Sequence, residues 1–231
     1  MCIRDRTKYG GMMDSEAAVE MFRFWFEELP KYAPPKAWEI DFPEAHTAFG
    51  VDGNYALLFP CYCWWTMPWN SPESPIAGKW WYAPEPVDTR FWKPGMPRGY
   101  IDPSGWVISA YTKHPEAAFL FAAFMTSKAV DLKKSLACGT PIRWSSVMSD
   151  KFGAKDKELG GVVTLMREQM WEQCGTDLAV GIIYPQLLSV VHPVVSDCFQ
   201  KKLTPEETAK RVAQEIDKWL EENGWLGKKV F

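Results

Sequence analysis

No stretch of this chain approaches the roughly 20 apolar residues needed to cross a bilayer. The longest candidate, Ala117–Met125, follows closely on Pro115 and reads as a buried helix. Charge of one sign is missing too: 26 basic against 29 acidic side chains leave a formal charge of -3. That balance gives no electrostatic footing for nucleic acid or an anionic membrane as partner. Histidine is scarce, and His46, His114 and His192 lie far apart, with no H-E-x-x-H pattern. The six cysteines, Cys2, Cys61, Cys63, Cys138, Cys174 and Cys198, include no C-x-x-C pair. They are too few and too scattered for a disulfide scaffold. Cys61 and Cys63 fall on one face of an expected strand, as two small buried residues would. No metal site and no cofactor is therefore expected. The nucleophile elbow, the Walker loop and the dinucleotide-binding fingerprint are absent as well, so no catalytic residue stands out.

What is present is a core-forming composition, with 47% hydrophobic and 24% charged residues over 231 positions. That is ordinary for a globular chain able to bury a sizeable core. Two residue types are over-represented: proline at 18 and tryptophan at 13, eight of the tryptophans lying between Trp64 and Trp144. An indole is hard to hide completely because its N–H needs a partner, so it often sits where an apolar wall meets a polar ligand. The plain alternative for any one of them is a place in the core.

Met1–Arg6 has no apolar segment and no small-residue cleavage site, and it reads as a non-native leader resembling translated adapter sequence. Its lack of signal character is no sign of a cytoplasmic home. Asp14 or Ser15 can cap a helix whose apolar residues Ala18, Val19, Phe22, Trp25, Phe26 and Leu29 recur at helical spacing, ended by Pro30, Pro34 and Pro35. A short helix at 43–49 leads through the turn at 52–54 to a strand, Tyr55–Pro60. Further strands are expected at Lys79–Ala83 and Trp106–Tyr111. The helix opened by Pro115 is apolar on every side and must be covered all round. Gly139–Arg143 reads as an extended return segment, and helices are expected at about 156–173, 184–201 and 205–222. The last is the best marked. Thr204 caps it, Pro205 takes the first position, Glu207 completes a capping box, and Gly224 stops it. Ala209, Val212, Ala213, Ile216, Trp219 and Leu220 form its buried stripe. Early strands and late helices with mixed connections indicate an α/β or α+β class.

The order of these features resembles the extracellular solute-binding proteins of ABC importers, family 1, the maltose-binding-protein type. Four stretches carry the resemblance. Asp14–Val19 through Pro34-Pro35 is similar to the family's "DSPEAVEAL…PP". Ala48-Phe49-Gly50 through Trp64-Trp65 is similar to its "F-x-x-G-x-x-A-M" segment ending in tryptophan. Ser104-Gly105-Trp106 and the helix Pro115–Ser127 are similar to "GGW…K-E-A-A-x-x-F-x-x-F-L-T-S". Gly139–Arg143 with Ser149-Asp150, and Leu203–Glu207, are similar to "P-x-R-x-S-x-x-x-D" and "G-x-x-S-P-E-E-A-L". Ser104 stands where the family has glycine, and 51–54 where it has a glycine–lysine pair.

The resemblance implies an α/β, periplasmic-binding-protein type II two-lobe fold that is incomplete here: a C-terminal lobe plus part of the N-terminal lobe. Residues 7–104 and 156–231 would belong mainly to the C-terminal lobe, and 105–155 would cross to the other. It also implies a sugar or oligosaccharide ligand, ABC permease subunits as partners, a monomer, and a periplasmic or extracellular location, with a lipid anchor as one means of retention. A sugar presents C–H faces flanked by hydroxyls, which aromatic rings and charged or amide groups recognise. Carried over, the ring donors are Trp64 or Trp65, of which strand alternation sends only one toward a cleft, and Trp106. Gly105 would let backbone approach the ligand. Arg143 would bind hydroxyls, and Tyr184 would add a ring. Core packing or a surface ion pair is the ordinary alternative for each.

Two other readings remain. A carbohydrate-active enzyme needs two facing carboxylates, for which Asp41 with Glu44, and Asp88 or Asp102 near the tryptophans, are candidates. A stand-alone carbohydrate-binding module would bind sugar through this chain alone.

Overall fold

The computed structural model describes residues 13–35, 37, 39–53, 55, 66–96, 99–100, 105–138, 141–175 and 184–225. It divides the chain into two compact units, residues 1–38 with 176–231, and residues 39–175.

The first unit is a helical cluster. Ser15 begins α1 (Glu16–Arg23), its Oγ accepting the Ala18 N–H at 3.3 Å. The expected single helix to residue 29 instead widens into a π turn, Phe24–Glu28, and a 3-10 turn, Leu29–Lys31. Pro30 accounts for the change. It has no N–H, and its ring would collide with the carbonyl four residues back in a continuing α-helix. Two longer helices, numbered below by chain order as α9 (Tyr184–Phe199) and α10 (Pro205–Glu222), complete the unit. At the start of α10 the Glu207 N–H donates to Thr204 Oγ1 at 3.2 Å, and the Thr204 N–H donates to Glu207 Oε2 at 2.9 Å. This reciprocal cap satisfies two donors that a helix start otherwise leaves open. Phe22, Leu187 and Val194 pack on Ala209, Val212, Ile216 and Leu220, the stripe expected for α10. The Arg23 guanidinium ties the surface of α1 to Glu206.

In the second unit, α2 (Phe42–Asp52) starts with a capping box of Asp41 and Glu44. It ends at Gly53, whose φ of 63° suits glycine. The short α3 (Thr66–Trp69) places Trp69 against it. Trp69 is 2% exposed, and its Nε1–H donates to the His46 carbonyl at 2.9 Å. Phe49 and Trp80 pack on the same ring at centroid distances of 5.0 and 5.3 Å, and Tyr82 meets Trp80 at 5.2 Å. A Cβ at Gly50 would run into the Trp69 indole.

A second core in this unit joins Val147 of α6 (Trp144–Val147), Phe152 of α7 (Asp150–Gly153), Leu159, and Val162, Val163 and Met166 of α8 (Val162–Gln173). Arg167 of α8 donates from Nε to the Val147 carbonyl at 2.8 Å and from Nη2 to that of Ser149 at 2.9 Å. The remaining helices are α4 (Pro115–Met125) and α5 (Lys128–Cys138). The described residues are largely helical. The sheet they carry is one parallel pair, β1 (Gly99–Tyr100) beside β2 (Cys174–Gly175), with Gly99 opposite Cys174.

Several expected elements differ. The helix foreseen from residue 156 begins at Val162, because Gly160 and Gly161 have φ of 60° and 77°, outside helical space. Residues 79–83 form no strand. They run instead beside the two glycines, with the Tyr82 N–H donating to the Gly160 carbonyl at 2.7 Å. Trp106–Tyr111 is not a strand either. Ser109 turns the chain by accepting the Thr112 N–H on its carbonyl at 3.1 Å and the Tyr111 N–H on its Oγ at 3.2 Å. The strand foreseen at Tyr55–Pro60 lies outside the described residues apart from Tyr55. Most consequentially, α4 has the expected start and ends at Met125, two residues short, without the expected cover. Phe119, Leu120, Phe121 and Phe124 are 63%, 67%, 55% and 62% exposed.

Candidate ligand-binding site

Of the six residues the sequence singles out, Gly105, Trp106 and Arg143 lie in the second unit, and Tyr184 opens α9 in the first. Trp64 and Trp65 lie outside the described residues.

Trp106 is 57% exposed. Its ring meets Phe121 of α4 edge-on, with centroids 5.7 Å apart and planes at 87°. Quadrupole attraction favours that geometry, which fixes one edge of the indole while leaving much of the ring accessible. A Cβ added at Gly105 would meet nothing within 4 Å, so the space beside it is open. Among the described residues, no neighbouring group demands a glycine there.

Arg143 is held from two directions. Its backbone N–H donates to Asp131 Oδ2 at 3.1 Å, and the Ile142 N–H donates to Asp131 Oδ1, also at 3.1 Å. The guanidinium Nε–H donates to the Thr126 carbonyl, just after α4. Asp131 lies in the first turn of α5 and is fully buried; its own carbonyl accepts from Ser135 Oγ at 2.6 Å. The carboxylate therefore fastens the return segment to α5, and the arginine side chain links that segment to the end of α4. A guanidinium has five N–H donors, and Arg143 is exposed, so donors remain to meet a ligand. Sequence alone marked the arginine and not its anchor, since a single aspartate in an amphipathic stretch reads as a solvated surface residue.

The carboxylates that an enzyme would use are largely engaged in local structure. Asp41 and Glu44 cap each other's backbone, the Glu44 N–H donating to Asp41 Oδ1 at 3.1 Å and the Asp41 N–H to Glu44 Oε2 at 3.4 Å. Asp88 accepts from Arg90 at 2.6 to 3.1 Å through its guanidinium and backbone. Those hydrogen bonds hold the Asp88 carboxyl below the ordinary carboxylate range. Asp102 lies outside the described residues. Among the described residues no cluster of three or more histidine, cysteine, aspartate or glutamate side chains is arranged to hold a metal. No described helix is long and apolar enough to cross a membrane.

A concave region of about 350 Å³ lies between α2 and the segment after α3 and includes His46, Trp69, Ser71, Glu73 and Ser74. Its floor is the Trp69 indole, whose N–H is already satisfied. The tryptophan cluster visible in the sequence thus serves two ends. Trp69 and Trp80 build core, whereas Trp106 and Trp81 stay exposed.

No family model matches this chain, and no curated protein matches it. Among solved structures it is similar to maltose-bound MalE3 of T. maritima, with a TM-score of 0.72 and 23% sequence identity over 90% of this chain and 51% of that one. The chain spans about half the length of that structure. Over that half, it shares the MalE3 fold.

Proposed function

We propose that this chain is part of the substrate-binding component of an ABC transporter, which captures a sugar or oligosaccharide between two lobes and hands it to a membrane permease. The observation that carries the proposal is the fold shared with MalE3, whose solved structure holds maltose. The four family-like stretches found in the sequence point the same way. On this account the fold is the α/β, two-lobe type II binding-protein fold, with residues 7–104 and 156–231 mainly in one lobe and 105–155 crossing to the other. The protein works as a monomer at a periplasmic or extracellular location and performs no chemistry on its ligand.

Trp106 supplies an accessible ring for the C–H face of a pyranose, set firmly by Phe121. Arg143 offers its remaining donors to hydroxyls from a backbone fixed by Asp131. Trp64 or Trp65, Gly105 and Tyr184 complete the proposed contacts. Lobe closure around the sugar is the signal a permease can sense.

The experiment is calorimetric titration of mono- and oligosaccharides into a longer version rebuilt from neighbouring coding sequence. Trp64, Trp65 and Trp106 are then replaced singly by alanine. Loss of one stacked ring should weaken binding by about 0.5–1.5 kcal/mol, roughly two- to thirteenfold. Wild-type affinity in all three variants would overturn the site, and failure of every sugar to bind would overturn the function.

A further inference from the structure

Of the asparagines in the chain, Asn54, Asn70 and Asn223, only Asn223 is followed by glycine. A glycine nitrogen has no Cβ beside it and its backbone turns freely, so it reaches the carbonyl carbon of a preceding asparagine side chain more readily than any other residue's. Here the pair caps the end of α10. Asn223 is the exposed C-cap residue, with φ -99° and ψ 6°, and Gly224 follows in the left-handed region at φ 67°. Asn223 donates from both its backbone N–H and its Nδ2 to the Trp219 carbonyl, at 3.1 and 2.8 Å. The Gly224 N–H donates to the Glu221 carbonyl at 3.0 Å, and the Trp225 N–H to that of Leu220 at 2.7 Å. These bonds satisfy carbonyls that a helix end otherwise leaves open. They also hold Trp225 against the core cluster that includes Leu220.

The same geometry keeps the reactive groups apart. At a ψ of 6° the Gly224 nitrogen nearly eclipses Asn223's own nitrogen and is turned away from Cβ. Ring closure needs the Cα–C bond to turn until that nitrogen faces the side chain. That rotation breaks the bond to Glu221, and the side-chain amide must also leave Trp219. Reaction therefore requires the last turn to open, and helix ends open at low cost. We propose that Asn223 is a self-modification site gated by the α10 cap: it deamidates when the last turn frays, and its product weakens the turn that protected it. The Gly224 nitrogen attacks Asn223 Cγ. An N–Cγ bond forms, the Cγ–Nδ2 bond breaks, and the proton lost from the Gly224 amide leaves with the departing ammonia. Water then opens the succinimide ring at either carbonyl, giving aspartate or the isomer whose main chain runs through the side-chain carbons. Both products lose the donor to Trp219 and gain a carboxylate beside Glu221 and Glu222, at the negative end of the helix dipole. The isomer also lengthens the backbone between Leu220 and Trp225, which displaces Trp225 from its place on the core. Asn70 is the internal contrast. Its Nδ2 donates to the Glu158 carbonyl, its Oδ1 accepts from the Gly78 N–H at 3.4 Å and from Trp80 Nε1–H at 3.1 Å, and a serine follows it. The inference is independent of any ligand.

The test holds the 231-residue chain at mildly alkaline pH, folded and in urea, and follows each asparagine by peptide mass spectrometry that separates aspartate from its isomer. Asn223 should convert in urea and about tenfold more slowly in the folded chain, as local opening of a marginal last turn requires. Asn70 should stay intact in the folded chain. Trp225→Ala removes the anchor of the turn and should raise the folded rate at Asn223 several-fold while leaving the rate in urea unchanged. Asn223→Asp should lower the melting temperature and speed hydrogen exchange at the Trp225 amide. No conversion of Asn223 in urea overturns the site. Equal rates in the folded chain and in urea overturn the gate, as does a folded Trp225→Ala chain that converts like wild type. An Asn223→Asp chain with wild-type melting and exchange overturns the effect of the product on the turn.

Discussion

Removing the Asp131 carboxylate should loosen the corner that carries Arg143. The carboxylate is fully buried and accepts the Ile142 and Arg143 amides at 3.1 Å each, while Lys134 stands 3.7 Å away. A hydrogen bond to a charged acceptor contributes about 1.5–3 kcal/mol net. Ile142 and Arg143 are themselves exposed, so water can replace part of what their amides lose. The partly exposed Lys134 pair adds little. Asp131→Ala is therefore expected to cost about 2–4 kcal/mol, through two lost bonds and a small cavity. Asp131→Asn keeps the shape and one acceptor oxygen, turns an N–H donor toward the other amide, and should cost about 1.5–3 kcal/mol. For a chain of this size that corresponds to a melting temperature lower by roughly 3–16 °C across the two variants. Denaturant unfolding measures the cost, with an unchanged m-value expected if only stability has moved. Hydrogen exchange should show the Ile142 and Arg143 amides losing protection ahead of the α8 core. An Asp131→Asn protein within about 0.5 kcal/mol of wild type would refute the reasoning, because that is the range of an ordinary surface substitution.

Other expectations follow from single contacts. Gly160→Ala places a Cβ at positive φ and into the Trp80 ring, so it should destabilise by more than 1 kcal/mol and alter tryptophan fluorescence. Gly105→Ala, with open space around it, should unfold within about 0.5 kcal/mol of wild type. Thr204→Ala removes the side-chain half of the α10 cap and should cost about 1 kcal/mol in denaturant unfolding. Burial pushes the Cys198 thiol above its ordinary range, so its thiolate fraction at pH 8 is small. Its alkylation should be slow in the native protein, rise as pH is raised, and become fast on unfolding; rapid native labelling at pH 8 would contradict the buried position.

The parts of the fold that the sequence disclosed are those with local causes. The Thr204-Pro205-Glu207 box and the α10 stripe are encoded within a few residues of one another, and both stand as read. The start of α4 was legible because Pro115 suits a first turn. Long-range causes were not legible. Lys79–Ala83 has the composition of a strand, but its neighbour is a pair of glycines some 80 residues away, which local pattern cannot foresee. The α5 helix escaped notice because its own buried residues Asp131 and Ser135 are polar, and polar residues on a buried face mask the helical period. For the site, sequence could name Trp106 and Arg143 but not what holds them. Phe121 sits in a run that reads as plain core, and Asp131 in a stretch that reads as surface.

The most direct test of the central claim is sugar-induced thermal stabilisation, measured side by side for the longer version and the 231-residue chain. The account predicts that one class of oligosaccharide stabilises the longer version by about 2.7 kcal/mol at 100 times its Kd. It predicts little or no effect on the shorter chain, which spans about half of the matched structure. Tight sugar binding by the 231-residue chain alone, or stabilisation of neither protein by any sugar, would contradict it.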